Sequence, residues 1–149
     1  MSEKQSEMKY EFLSKPWFAA LHGIICEKAR TAASSDPDYS YSICEIFTDV
    51  PSHLATLPRG RTAWHARVRG ADVVFELSER NDVDLKAEAD YSAVLPLARI
   101  VASGKTDRAA ELQAMSHALA ERGLLKVTGV PPMTGPFASL HDAIAALTS

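Results

Sequence analysis

The sequence has little of what would place it in a specialised class. Its two cysteines, Cys26 and Cys44, are too few for a disulfide framework and fit reduced, packed thiols in a cytoplasmic setting. No apolar run nears the roughly 20 residues that a bilayer-spanning helix needs; the longest, such as Phe18–Leu21 and Ala93–Leu95, stop after a few residues. That argues against stable membrane insertion. Basic excess is also missing: 16 Lys+Arg face 19 Asp+Glu, a net charge of −3, which speaks against a nucleic-acid partner. There is no Gly-rich phosphate loop, Cys-x-x-Cys, His-Glu-x-x-His or Gly-x-Ser-x-Gly, so the familiar signatures of nucleotide, redox, zinc-protease and serine-hydrolase sites are absent. Residues 1–10 are polar and mixed in charge, unlike a signal or transit peptide, and read as a disordered leader. The C-terminal Ala-Leu-Thr-Ser is neither a retention nor a peroxisomal address.

What is present suits one α+β domain over residues 11–149. At 149 residues, 46% hydrophobic and 23% charged, the chain buries enough surface to fold without disulfide or metal. Ser14 before Pro16 marks a helix start, and Trp17, Leu21, Ile24, Ile25 and Lys28 continue a helical stripe to about Thr31. Tyr41–Asp49 is a strand by composition. Thr62–Arg69 alternates, with Trp64, Ala66 and Val68 opposite His65, Arg67 and Arg69. With Gly70-Ala71 as a type II′ turn, Arg69 faces Asp72, Val68 faces Val73, Ala66 faces Phe75, His65 faces Glu76 and Trp64 faces Leu77. That register predicts Trp64, Ala66, Val68, Val73, Phe75 and Leu77 inside, and His65, Arg67 and Glu76 outside. A turn at Glu79-Arg-Asn-Asp and alternation over Val83–Asp90 then predict a third strand of the meander. Pro96, read as a first-turn residue, predicts a helix from about Val94 to Gly104. Thr106 or Asp107 caps the next helix, and Gly123 stops it. Leu124–Gly129 is a short strand, and a last helix carries Phe137, Leu140, Ile144 and Leu147.

Few residues suggest chemistry. His22 and Cys26 stand four apart on the first helix, but zinc needs three or four ligands and no second cluster supplies them, so no metal site is expected. Arg59, Arg61, His65, Arg67 and Arg69 gather positive charge, readable as an anion site or as a solvated sheet face partly neutralised by Asp72 and Glu76. Glu45 alternates with Ile43 and Phe47. If that face looks inward, a carboxylate with a raised pKa meets apolar surface; if Cys44 and Ile46 look inward, Glu45 is outside. Tyr91, between Asp90 and Ser92, presents a phenol or simply belongs to a helix cap. Glu45, His65 and Tyr91 are the candidate catalytic residues. The large apolar side chains are core by default and cavity lining by the sharper reading.

The order of elements resembles the sterol carrier protein type two family. The likeness is carried by the leading helix, the meander with Trp64-His-Ala-Arg-Val-Arg-Gly-Ala-Asp-Val-Val-Phe-Glu-Leu, the alternating Val83–Asp90 before Tyr91, two helices, and Gly123 and Gly129 around Leu-Leu-Lys-Val-Thr. It spans roughly residues 40–147 and lies in element order more than in motifs. It implies a five-stranded, mostly antiparallel sheet covered by helices on one face, with an apolar tunnel between them. It also implies a non-catalytic carrier of a hydrophobic small molecule such as a lipid, fatty acyl chain or sterol, with no cofactor. The loop Pro51–Gly60 departs from the pattern. Phe47, Trp64, Phe75, Leu95, Met115, Met133 and Phe137 are the expected ligand contacts. Two other readings stay open: an acid/base enzyme using Glu45, and a homodimeric scaffold whose apolar groove is an interface.

Overall fold

A computed structural model describes residues 9–100, 106–132, 134–138 and 140–149. Helix α1 (Lys15–Ala33) opens the fold, followed by β1 (Ser40–Thr48), β2 (Thr62–Arg69), β3 (Asp72–Glu76), β4 (Leu85–Asp90), α2 (Tyr91–Ala98), α3 (Thr106–Glu121), β5 (Leu125–Gly129) and α4 (Leu140–Leu147). Ser14 caps α1 by accepting a hydrogen bond from the Trp17 backbone N–H at 3.3 Å, with Pro16 in the first turn where its missing N–H costs nothing. The buried stripe of α1 is Trp17, Phe18, Leu21, Ile25 and Ala29. Trp17 is fully buried and its Nε1–H donates to Thr148 Oγ1 at 3.0 Å. Tyr10 bridges to Thr148 in parallel, which draws both ends of the described chain onto α1.

The sheet runs β3-β2-β1-β4-β5. Its pairs are antiparallel except β1 with β4. The β2–β3 register is the one the alternation predicts, from Arg69 opposite Asp72 to His65 opposite Glu76, around a Gly70 at φ +58°. Trp64, Ala66 and Val68 are buried on the helix-covered face, and Phe75 and Val73 pack partly buried against the same core.

Four expectations fail here. Leu77 lies beyond the end of β3 and is exposed. The next strand does not extend the meander beside β3. Residues 77–84 instead cross the outer face of β2 and β1, and β4 pairs in parallel with β1. Because that link packs over the outer face, His65 is buried at 3% exposure, with Nδ1 donating to the Ser78 carbonyl at 3.0 Å. A small second core of Cys44, Ile46, Ala63, Leu57 and Val83 forms there, and burial pushes the Cys44 thiol pKa up. Finally, α2 begins at Tyr91, not Val94, with Pro96 inside it. Asp90 caps it by accepting the Ala93 N–H at 3.0 Å. The helix ends two residues past the proline, at Ala98, so the N–H that Pro96 lacks is missing close to its end. The stretch to Gly104, and the side chains expected to cap α3, fall outside the described ones.

Strand β5 needs a glycine at its end. Gly129 has φ +108°, and a Cβ there would stand 2.1 Å from the Asp84 carbonyl oxygen, itself backbone. Gly129→Ala is therefore expected to cost well over 1 kcal/mol, the opposite of the gain of about 0.4–1 kcal/mol at a compatible site. Equilibrium denaturation measures it, and a cost near zero would mean that β5 is not held this closely on β4.

Candidate functional site

Strand β1 is central and buried on both faces, which is why its alternation alone left the orientation of Glu45 open. Cys44 and Ile46 face the outer core; Ile43 and Phe47 face the helices. Glu45 shares the helix-covered face, opposite Trp64 on β2 and Ala87 on β4. Helix α1 covers this face over β3, α2 lies against β4 and α3 against β5, and α4 packs on α1 and α2 with His141 and Ile144 turned to the same space. Between the second group of helices and the sheet lies a partly open pocket of about 360 Å³.

The pocket forms where side chains are small. Ala87 and Ala89 of β4 and Ala98 of α2 line it beside Phe47, Leu97 and Leu112. Among the described residues, its lining is apolar except for Glu45, Ser116 and His141. Glu45 Oε1 accepts the Trp64 Nε1–H at 3.0 Å. Removal from water raises its pKa to about 7, against the smaller opposing effect of that hydrogen bond. The residue keeps some exposure through the pocket opening, so the carboxyl is within reach of a ligand. Ser116 Oγ donates to the Leu112 carbonyl at 2.9 Å, and His141 Nε2 donates to the Ile100 carbonyl at 2.8 Å. A broader depression of about 510 Å³ beside α1, lined by Glu27, Lys28 and Thr31 among others, has no such apolar lining.

The structure places the sequence-predicted residues unevenly. Phe47 lines the pocket. Trp64 is fully buried beneath it and stacks on Phe75 at 5.6 Å; Phe75 in turn stacks on His22 at 4.8 Å. Phe137 packs on Tyr41 at 5.6 Å, and Leu95 and Met115 pack partly buried against the core. None of these five is among the pocket's lining residues. Met133 lies outside the described residues. The large side chains fill space, and the room is left by the alanines they do not reach. Inward-facing alanines on β4 and α2 were the sequence signal for the pocket.

Nor are the three catalytic candidates brought together. Glu45 and His65 occupy opposite faces of the sheet, because Glu45 pairs with Trp64 and the neighbouring Cys44 with His65. Tyr91 stacks on Phe12 at 5.8 Å and its phenol pKa is raised, mainly by burial; Asp90 beside it is the cap of α2. Two of the arginines near β2 form surface pairs with acids of the crossing link, Arg61 with Glu79 at 2.8 Å and Arg67 with Asp82 at 3.6 Å, while Glu76 stands 4.0 Å from His65 and Asp72 lies opposite Arg69 in the strand register. Among the described residues there is no group of three or more His, Cys, Asp or Glu that could hold a metal, and no helix long and apolar enough to cross a membrane.

No family model and no curated protein matches the chain. Solved structures do. The solution structure of a conserved hypothetical protein from Thermus thermophilus, described with a query as a sterol carrier protein, superposes with a TM-score of 0.51 at 16% identity, over 95% of this chain and 94% of that one. A crystal structure of sterol carrier protein 2 gives a TM-score of 0.49 at 15% identity, over 91% and 95%. The UbiJ-SCP2 ubiquinone synthesis protein gives 0.44 at 19%, over 85% of each chain. At the first score the likeness is one of fold: this chain has a sterol-carrier-type α+β fold.

Proposed function

We propose that the protein binds and carries a hydrophobic or amphipathic small molecule, of lipid, fatty acyl or sterol-like kind, in the pocket between β1, β4 and β5 and helices α2–α4. The observation that carries this reading is the pocket itself, about 360 Å³ and, among the described residues, apolar but for three side chains. Small-molecule sites typically measure about 300–1,000 Å³ and pair an apolar lining with a few placed polar groups. The fold likeness supports it, since the Thermus thermophilus protein is described, with a query, as a sterol carrier. Phe47, Leu97 and Leu112 would hold the apolar body of the ligand. Carriage of this kind requires no cofactor. The free thiols of Cys26 and Cys44 suit a reducing cytoplasm.

A second reading, proton transfer by Glu45 on an apolar substrate, is favoured by the raised pKa of a carboxyl that reaches the pocket. It lacks a partner. The other titratable group of the lining, His141, has Nε2 committed to the Ile100 carbonyl, and His65 and Tyr91 are elsewhere.

Filling the pocket tests the carrier reading. Ala98→Leu and, separately, Ala87→Leu are expected to weaken binding of the neutral dye Nile red by roughly tenfold, about 1.4 kcal/mol. Far-UV circular dichroism checks that each variant is folded. Two folded variants that bind the dye as the parent does would move the binding site away from this pocket.

A further inference from the structure

Among the described residues, neither lysine nor arginine lines the pocket. Of the described residues around Glu45, those from β2, β4 and β5 and helices α2 and α3 that line the pocket or bond to Glu45 are uncharged, and α4 contributes His141. The donors on the pocket's three polar residues are already used. Ser116 Oγ–H goes to the Leu112 carbonyl, and His141 Nε2–H goes to the Ile100 carbonyl. With that tautomer the neutral ring offers only Nδ1, an acceptor. Glu45 Oε1 is occupied by Trp64, while Oε2 has no hydrogen-bond partner among the described residues. Among the described residues, what remains for a ligand beside an ionised Glu45 is therefore a set of acceptors with no lysine or arginine next to them.

Resting on the carrier reading, we infer that Glu45 determines specificity: the pocket selects a lipid whose polar end is an uncharged hydroxyl and, while Glu45 is ionised, excludes its carboxylate analogue. A hydroxyl donates to an ionised Glu45 or accepts from a protonated one, so either state serves it. A carboxylate is only an acceptor. Beside an ionised Glu45 it would leave water to meet acceptors, with no donor among the described lining residues to offset the loss, and would oppose the charge of Glu45. An anionic ligand can enter only when Glu45 carries a proton. Since burial raises that pKa to about 7, its apparent affinity falls roughly tenfold per pH unit above that point.

The test is competition of 1-decanol, decanoic acid and decylamine against Nile red between about pH 6 and pH 8.5, with the parent protein and Glu45→Gln. The inference expects decanol to compete nearly independently of pH. It expects decanoic acid to weaken at least tenfold across the range, and the acid to bind Glu45→Gln without that pH dependence. A merely structural role for Glu45 would change affinities without giving the acid and the alcohol different pH profiles. Equal, pH-independent competition by acid and alcohol in the parent overturns the selectivity and leaves the carrier reading standing. Tighter binding of decylamine than of decanol also overturns it, in favour of a cationic head. If Nile red and all three probes fail to bind the parent, the carrier reading falls and the selectivity with it.

Discussion

Glu45→Gln is expected to stabilise the protein at about pH 8 and to leave its stability nearly unchanged at about pH 5. The direction follows from proton linkage. Burial raises the carboxyl in the folded state to about 7, from an ordinary value of 4.5, so between those two values the native state holds a proton that the unfolded chain gives up. The parent's contribution from this group is complete below the unfolded value and is lost as pH rises through the folded one. The full difference corresponds to about 3 kcal/mol, reduced to about 2–3 kcal/mol because the pocket admits some water. Glutamine fills the same space, still accepts the Trp64 N–H, and does not titrate. Denaturant unfolding of both proteins at the two pH values gives the difference directly. An equal gap at both would mean that Glu45 is solvated and ordinary in the folded state.

Trp64→Ala is expected to cost about 3–5 kcal/mol, the range for deleting a large buried aromatic. Trp64 is fully buried, stacks on Phe75 and holds Glu45 through Nε1. Its loss opens a cavity beneath the pocket and leaves a carboxyl without its donor. Trp64→Phe separates the two effects. It keeps most of the packing and removes the hydrogen bond, which favours the ionised carboxylate, so Glu45 should titrate at still higher pH. A pH profile of stability unaffected by Trp64→Phe would show that this bond does not govern the carboxyl.

How far the sequence foretells this molecule depends on what its periodicity can sense. The β2–β3 register was legible because one face is apolar and a one-residue slip would have mixed the faces. The same rule says nothing decisive about β1, where Ile43 and Phe47 are buried on one side and Cys44 and Ile46 on the other. The parallel placement of β4 depends on where residues 77–84 travel, which no local pattern records; once they cross the outer face, His65 must be buried. Pro96 misled in a related way. A proline disfavours a helix interior by removing one hydrogen bond, yet the Asp90 cap fixes the start of α2 at Tyr91, and the helix is short enough to end soon after the proline. For the site, Phe47 and Glu45 stood out in the sequence, as did small residues such as Ala87 and Ala98 facing large aromatics, and it is the alanines that border the pocket. Interiors are close-packed, so large residues such as Trp64 and Phe75 mark where space is filled.

Native mass spectrometry after incubation with 1-decanol tests the central claim most directly, since bound ligand appears as added mass on the intact chain. The account predicts one equivalent of decanol on the parent at neutral pH, lost on Ala98→Leu. An unliganded mass at every decanol concentration, or adducts that persist unchanged in the pocket-filling variant, would contradict it.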